Sequence, residues 1–193
     1  MNGQSSESAS EPRCRGADKT IHTIGHSTRT VDAFLELLQS HGVERLIDVR
    51  RWPGSRRHPQ FNRDALSSSL ARARIEYAGR RDLGGFRKPA DPSPNSGWRV
   101  GAFRAYADFM LTPEFGEIME DMEKLARAKP SALMCAEALP WRCHRQLLAD
   151  AYSVRGWTVR HIFEDGCQEH RLPAFARVEG NRIVYPGATT AKP

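Results

Sequence analysis

The chain of 193 residues has no apolar run near the roughly 20 residues that a membrane-spanning helix needs, and its first 19 residues contain no apolar segment for secretion. These absences argue against a membrane protein and against a membrane partner. Cysteine is also scarce, and the few cysteines are too scattered for a disulfide framework, which favours a reducing compartment. We therefore expect a soluble, cytoplasmic protein. The cysteines are Cys14, Cys135, Cys143 and Cys167.

Lysine is rare as well. Only five of the 29 basic residues are lysine, which leaves 24 arginines, and the net charge is +6. Arginine prefers phosphate and carboxylate partners because its planar guanidinium can donate two parallel hydrogen bonds. Scattered arginines can simply reflect genomic base composition, whereas clustered ones indicate an anionic partner. That partner is a small-molecule substrate or a nucleic acid, and the pattern indicates no particular oligomeric state.

Strand-like and helical patterns alternate along most of the chain. The apolar run that starts at Ile21, for example, is followed by a segment with helical spacing for which Thr30 is a suitable N-cap. Strands joined by helical crossovers predict an α/β fold, a doubly wound and mainly parallel sheet with helices on both faces. The residues around Glu179-Gly180-Asn181 predict a short C-terminal hairpin that caps a sheet edge or the site.

These patterns predict a single α/β domain over residues 20–187. Residues 1–19 are rich in serine and glutamate and poor in apolar side chains, so they are expected to form a disordered leader. Residues 188–193 are expected to form a flexible tail.

Glycines and ionisable residues occur at the ends of all five predicted strands. The carboxyl ends of parallel strands meet at one edge of a sheet, and ligands bind there, near the switch in strand order. The sequence therefore predicts one shared cleft. The strand ends are Gly25-His26-Ser27, Asp48-Val49-Arg50, Leu83-Gly84-Gly85, Cys135-Ala136-Glu137 and His161.

Several motifs along the chain point to a known family. In order, they are TIGHS, LIDVRRWPGSRRHPQFN, LGG, GWRVGAFRAYADFM, MCAEALPWRCHR and RIVYPG. With these motifs the chain resembles the bacterial and archaeal family called domain of unknown function 488, over roughly residues 21 to 187. The resemblance implies an α/β domain whose motif residues form a site, and it implies no particular activity.

The strongest catalytic candidates flank the loop after the fourth predicted strand. Glu137, in a cleft lined with arginine, can act as a general base or as a nucleophile at a sugar carbon, with His144 or His26 as its proton-transfer partner. Cys135 can serve as a nucleophile, although a cysteine at a strand end is more often a small buried apolar side chain. The alternative that Glu137 only forms a salt bridge with Arg145 stays open.

Further residues are predicted to bind the substrate. The loop PGSRRHPQFN presents Arg56 and Arg57 between prolines, where guanidiniums can hold phosphate at low entropic cost, unless an arginine-aspartate network only tethers the loops. The long loop after Gly85 is a candidate lid in which Trp98 stacks on a base or sugar, or else packs on the domain surface. The predicted binding residues are Ser27, Asp48, Arg50, Ser55, Arg56, Arg57, Gly84, Gly85, Trp98, Cys143 and Arg145.

No cofactor is predicted. Cys135, Cys143 and His144 are metal-ligating residue types, and His26, His161 or Cys167 could join them. The sequence, however, contains no CxxC pair, and an adjacent cysteine and histidine on a helix would point about 100° apart. We therefore expect no metal.

Two functions remain. The preferred one is an enzyme, a hydrolase or transferase with a carboxylate base or nucleophile, that acts on a phosphorylated or nucleotide-like substrate in the cleft. The alternative is a nucleic-acid binding or repair accessory module, in which arginines contact phosphates and Trp52, Trp98 or Trp141 stack on bases.

Overall fold

The computed structural model of the protein describes residues 19–187. The leader and tail predicted from the sequence lie outside these residues, apart from Lys19. The eight strands are β1 (Thr20–Gly25), β2 (Arg45–Asp48), β3 (Glu76–Gly79), β4 (Ser131–Cys135), β5 (Thr158–Phe163), β6 (Gly166–Glu169), β7 (Arg177–Glu179) and β8 (Arg182–Val184). The first six form one sheet in the order β3-β2-β4-β1-β5-β6, and β7 and β8 form a hairpin.

Within residues 19–187, five α-helices connect the strands. Threonine caps the first and fourth of them, because Thr30 accepts a hydrogen bond from the backbone N–H of Ala33, and Thr112 accepts one from that of Phe115. Single turns of 3-10 helix occur at Pro59–Phe61, Arg81–Leu83 and Pro140–Arg142. The helices are α1 (Val31–Ser40), α2 (Arg63–Arg72), α3 (Gly101–Phe109), α4 (Pro113–Ala128) and α5 (Arg145–Val154).

Helices cover both faces of the six-stranded sheet. On one face, Phe34 of α1 and Leu66 of α2 belong to one buried apolar cluster. On the other face, Tyr106 of α3, Met119 of α4 and Leu147 of α5 belong to a second cluster. The central strand β4 is buried along its whole length, because helices cover the sheet from both sides. The predicted doubly wound α/β fold is confirmed.

The strand order places a crevice at the carboxyl ends of β1, β4 and β2. These strands are parallel, and β4 lies between the other two. The helices after β1 and β2 cover one face, whereas α5, which follows β4, covers the other, so the loops diverge at this point. Gly25, Asp48 and Cys135 end the three strands, and Glu137 follows two residues later. His161, by contrast, lies inside β5, two residues before its end.

The C-terminal part adds two features. Strand β6 pairs antiparallel with β5 and was not predicted, although the Asp165-Gly166 turn is a hairpin signal. The predicted hairpin of β7 and β8 is confirmed, and its turn uses Gly180 at a φ of 60°. It packs on α5 through the buried Ile183 and Tyr185, and so it covers a helix and not a sheet edge.

Candidate active site

The loops after β1 and β4 meet through their backbones. The N–H of His26 donates to the carbonyl of Cys135 at 3.0 Å, and the N–H of Ser27 donates to the next carbonyl at 2.9 Å. Ser27 has a φ of 49°, in the left-handed region, which turns the chain sharply. A Cβ at Gly25 would overlap the carbonyl of Glu137, so only glycine allows this approach. The two strand ends are therefore held together as one platform.

Arg145 fixes this platform from inside the fold. Its side chain is 1% exposed and donates to the carbonyls of Glu137 and Ala138 and, at 3.3 Å, to the hydroxyl of Thr23. The salt bridge between Glu137 and Arg145, which the sequence left open, is not found, because Arg145 bonds the backbone of Glu137 and not its carboxylate. Glu137 itself is exposed, and a solvated carboxylate needs no buried partner.

Cys135, Cys143 and His144 form a compact cluster beside the platform. Their sulphur and imidazole nitrogen atoms all lie within 4.8 Å of one another. Cys143 Sγ is 3.7 Å from His144 Nδ1, and it accepts a hydrogen bond at 3.5 Å from the N–H of Arg145. His144 Nε2 lies 3.2 Å from the carbonyl of Val49. Because a carbonyl only accepts, Nε2 carries a proton, and Nδ1 is the ring atom that faces Cys143.

The two buried thiols have opposite pKa shifts. The pKa of Cys143 is held well below its usual range because Cys135 donates a hydrogen bond to its sulphur, while His144 and Arg145 also favour the thiolate. The pKa of Cys135 is raised well above its usual range by the same hydrogen bond and by burial. The more acidic sulphur is therefore that of Cys143, whereas the sequence had suggested Cys135 as the nucleophile.

A second polar network orients Arg50. Asp48, buried at the end of β2, accepts from Arg50 Nε at 2.9 Å and Nη2 at 2.7 Å, and from the hydroxyl of Tyr77 at 2.9 Å. Arg50 also donates to the carbonyl of Phe61 at 2.8 Å and to His26 Nε2 at 3.2 Å. Burial lowers the pKa of His26 to about 4, so its ring is neutral, and Nδ1 donates to the carbonyl of the next residue. Both ring nitrogens of His26 are therefore occupied, Nε2 by Arg50 and Nδ1 by the carbonyl of Ser27.

A cleft of about 400 Å³ opens at this edge of the sheet. Its lining contains three of the four residues predicted to be catalytic and three of those predicted to bind substrate. Residues that follow β2, β3 and β4 therefore line one cleft, with the thiols and the imidazole in its wall, whereas the predicted residues at the ends of β1 and β5 do not line it. The six residues are Arg50, Gly85, Cys135, Glu137, Cys143 and His144.

The remaining predicted residues do not line the cleft. His26, Asp48 and Arg145 lie behind it and support residues that do. Ser55, Arg56 and Arg57 belong to a loop that closes on itself, since the N–H of Ser55 donates to Asn62 and the Ser55 hydroxyl accepts from the N–H of His58. Gly84 lies against the backbone of Arg51, so closely that a Cβ at Gly84 would overlap it. Outside the lining are Ser27, Ser55, Arg56, Arg57, Gly84 and Trp98, together with the three supporting residues.

The loop that carries Trp98 is anchored to the fold. The ring of Trp98 packs against those of Phe103, Phe175 and Tyr185, with centroids 5.1 to 5.4 Å apart. Asp108 of α3 accepts three hydrogen bonds from residues 90–95 of the loop. Of the two uses left open for Trp98, packing is therefore the one observed, and Phe86, earlier in the loop, lies at the cleft instead.

Several residues of the cleft were not among the predicted catalytic and binding residues. Arg51 and Arg142 supply guanidiniums, and Tyr106 contributes a buried ring whose hydroxyl donates to the carbonyl of Leu83 at 2.8 Å. Tyr106 follows the helical spacing of α3 and looks like an ordinary core residue. The two arginines flank Arg50 and Cys143 in sequence, and this adjacency to motif residues was the available signal.

A buried chain of hydrogen bonds runs from the hairpin toward this site. Asp150 accepts from Tyr185 and from His170, both at 2.6 Å. His170 Nδ1 is 3.0 Å from His161 Nε2, and His161 Nδ1 is 2.8 Å from the hydroxyl of Thr23, the residue to which Arg145 donates. His161, predicted to lie at the cleft, therefore belongs to the support of Arg145, one layer behind it.

None of the helices between residues 19 and 187 is long and apolar enough to cross a membrane.

Comparison with known proteins identifies the family of the chain. No curated protein and no solved structure shows significant similarity to the chain. The model of one family, described as "Domain of unknown function DUF488", matches residues 30–152, which is more than half of the chain. The matched range contains every residue of the cleft named above, from Arg50 to His144. The chain therefore belongs to the DUF488 family.

Proposed function

We propose that the protein is a cytoplasmic enzyme that acts on a small anionic molecule with a planar ring, such as a phosphorylated or nucleotide-like substrate. One observation carries the proposal: the cleft at the strand ends combines unpaired guanidiniums, exposed aromatic rings and an unpaired carboxylate. Exposing any one of these groups alone costs little free energy. Their convergence on one concave surface, however, is typical of a ligand site.

The guanidiniums would bind the anion. Arg51 and Arg142 are exposed and form no ion pair with any residue between 19 and 187. Arg50 is oriented by Asp48, so it is presented to the cleft in a fixed position. Arginine binds phosphate and carboxylate through two parallel hydrogen bonds, and such charge-assisted bonds are about twice as strong as neutral ones. Two unpaired guanidiniums at one cleft, those of Arg51 and Arg142, favour an anionic ligand.

The aromatic side chains would bind the ring. Trp52 is 57% exposed and Phe86 is 79% exposed, with ring centroids 4.8 Å apart. Phe86 also has a φ of 64°, an uncommon conformation for a bulky residue. Large apolar side chains exposed together beside charged groups commonly mark a binding surface, and a base can stack on such rings.

Glu137 is the proposed catalytic group. Its carboxylate lines the cleft, is exposed, and forms no ion pair with any residue between 19 and 187. A free carboxylate beside bound substrate can accept a proton from an attacking water or attack a sugar carbon itself. His144 lies in the same lining with a fixed tautomer. The reaction class is therefore hydrolysis or group transfer.

Nucleic-acid binding is the second candidate. The exposed ring of Trp52 lies 5.6 Å from the guanidinium of Arg51. Trp141 is also exposed and lies after Glu137 in the segment that joins β4 to α5. Aromatic rings interleaved with arginines bind single strands by stacking and phosphate contact. The affinity of such a module for single strands falls steeply with salt concentration through counterion release. A small-molecule enzyme, by contrast, should not bind single strands at physiological salt.

Ligand binding tests the proposal. The wild type is melted and titrated calorimetrically with inorganic phosphate and with nucleoside monophosphates at millimolar concentration. In the double variant Arg51→Gln/Arg142→Gln, at least tenfold weaker binding is expected, because each charge-assisted bond is worth about 1.5 to 3 kcal/mol. The matched control, Arg56→Gln/Arg57→Gln, changes the same residue types outside the cleft and should bind as the wild type does.

The outcomes separate the candidates. If none of these compounds raises the melting temperature, or if the control pair weakens binding as much as the cleft pair, the proposal fails. Labelled single-stranded DNA serves as the second probe. Affinity for that strand that falls steeply with salt, without any effect of nucleotides, would support the nucleic-acid module instead.

A further inference from the structure

We infer that Cys135, Cys143 and His144 bind a divalent transition metal ion, with zinc as the expected ion. This inference rests on the proposed function, since it assigns a cofactor to the same cleft. The two sulphurs and the imidazole nitrogen lie within 4.8 Å of one another. In a tetrahedral zinc site, bonds of about 2.3 Å to sulphur and 2.0 Å to nitrogen place the two ligand atoms roughly 3.6 Å apart. Cys143 Sγ and His144 Nδ1 are separated by 3.7 Å.

The surroundings of the three residues match those of metal ligands. His144 Nε2 donates to the carbonyl of Val49, which leaves Nδ1 as the atom facing the sulphur. Metal-bound histidines almost always donate their second ring N–H in this way, because the bond fixes the tautomer and the ring plane. The backbone N–H of Arg145 donates to Cys143 Sγ, which orients that ligand as well.

The local backbone explains how neighbouring residues can bind one ion. The sequence-based expectation of no metal assumed that Cys143 and His144 lie on a helix and point about 100° apart. Helix α5 begins only at Arg145, and Cys143 is extended, with φ at −138° and ψ at 151°. The helical angle therefore does not apply, and the two side chains converge on one point. Cys135 reaches the same point from the end of β4.

Other residues that the sequence offered as ligands are engaged elsewhere. His26 is bonded to Arg50, and His161 is bonded to Thr23 and His170. Cys167 lies on β6 and does not belong to the group of three. The site therefore has three protein ligands, two of sulphur and one of nitrogen. Two thiolates and one imidazole are a typical donor set for zinc. Magnesium and calcium prefer oxygen ligands, so this donor set disfavours them.

A site with three protein ligands leaves a fourth position for water, which distinguishes catalytic from structural zinc. All three residues line the cleft, and Glu137 lines it as well. The ion would lower the pKa of the bound water to about 7. Glu137 would then accept the proton as the water O–H bond breaks, so that hydroxide stays on the ion and the carboxylate becomes a carboxylic acid. This step narrows the proposed reaction class to hydrolysis.

Cobalt spectroscopy tests the inference on the full chain. The protein is purified with a thiol reductant, treated with a chelator, and titrated with Co²⁺ alone. We expect a sulphur-to-cobalt charge-transfer band in the near ultraviolet and intense visible bands of tetrahedral cobalt, saturating at about one ion per chain. The variant Cys14→Ser/Cys167→Ser retains only Cys135 and Cys143, leaves the cluster untouched, and should give the same spectrum.

Two substitutions in the cluster complete the test. Loss of a residue that only hydrogen-bonds a metal ligand weakens metal binding roughly tenfold to hundredfold. Cys143→Ser and His144→Ala each remove a ligand, so they should weaken Co²⁺ binding by more than that. Circular dichroism checks that each variant is folded. The inference is overturned if Cys14→Ser/Cys167→Ser lacks the charge-transfer band, or if folded Cys143→Ser keeps the wild-type spectrum.

The two proposals fail separately. Nucleotide binding by the chelator-treated protein, together with a cobalt titration that shows no band, would leave the proposed function standing and reject the metal. A cobalt spectrum from the cluster, together with melting temperatures that no phosphate or nucleotide changes, would support the metal site and reject the proposed function.

Discussion

Removing the charge of Asp48 is expected to destabilise the protein strongly. The side chain of Asp48 is 1% exposed and accepts four hydrogen bonds, three of them from Arg50 and one from Tyr77. In Asp48→Asn an amide N–H₂ replaces the oxygen that accepts from Arg50 Nη2 and Tyr77. Two charge-assisted bonds at about 1.5 to 3 kcal/mol each are lost, and Arg50 keeps an uncompensated charge. We therefore expect the free energy of unfolding to fall by about 3 to 5 kcal/mol.

The matched control is Tyr77→Phe, which removes one bond to the same oxygen and leaves the ion pair intact. Its expected cost is about 1.5 kcal/mol. Urea unfolding followed by circular dichroism measures both free energies of unfolding. A double-mutant cycle with Arg50→Met should give a coupling energy of at least about 1.5 kcal/mol between Asp48 and Arg50. If Asp48→Asn costs less than Tyr77→Phe, the account of a buried network that orients Arg50 is refuted.

Three further changes have expected outcomes. Glu137→Gln should alter the free energy of unfolding by less than about 0.5 kcal/mol, because the carboxylate is exposed and unpaired; a large loss in urea unfolding would show a structural role. Burial lowers the pKa of His22 from 6.5 to about 4. As the pH drops from 6.5 to 4, the unfolded chain therefore binds a proton at His22 before the folded chain does, and the free energy of unfolding falls by up to about 3 kcal/mol. His22→Phe should remove that part of the pH dependence, and an unchanged slope of stability against pH would contradict the assignment. Asp150→Asn should cost about 2 to 4 kcal/mol in urea unfolding, because His170 and Tyr185 both bond its carboxylate, and a neutral result would argue against the buried chain.

The parallel sheet and the position of its cleft could be predicted from the sequence. Each apolar run is long enough for one buried strand, and each is followed by a helical period, so the topology rules leave few arrangements. Glycines and charged residues at the strand ends then indicate one edge. Gly25 and Asp48 illustrate this, since each ends a strand at the crevice.

The contacts that depend on the conformation of the loop after β4 could not be predicted in the same way. The sequence left open a salt bridge between Arg145 and Glu137, but the loop geometry gives Arg145 backbone carbonyls instead. Cys143 and His144 were placed on a helix because CHRQLLADAY has helical spacing, whereas the turn at Pro140–Arg142 delays the start of α5. The convergence of two adjacent side chains depends on that delay, which no periodicity in the sequence encodes.

The measurement that tests the central claim most directly is a crystal structure of the protein soaked with a nucleoside monophosphate. The claim is that the cleft at the ends of β2 and β4 is the functional site. We expect the phosphate within hydrogen-bond distance of Arg51 or Arg142 and the base against Trp52 and Phe86. A phosphate bound instead by Arg56 and Arg57, or a cleft that stays free of ligand at saturating concentration, would contradict the account.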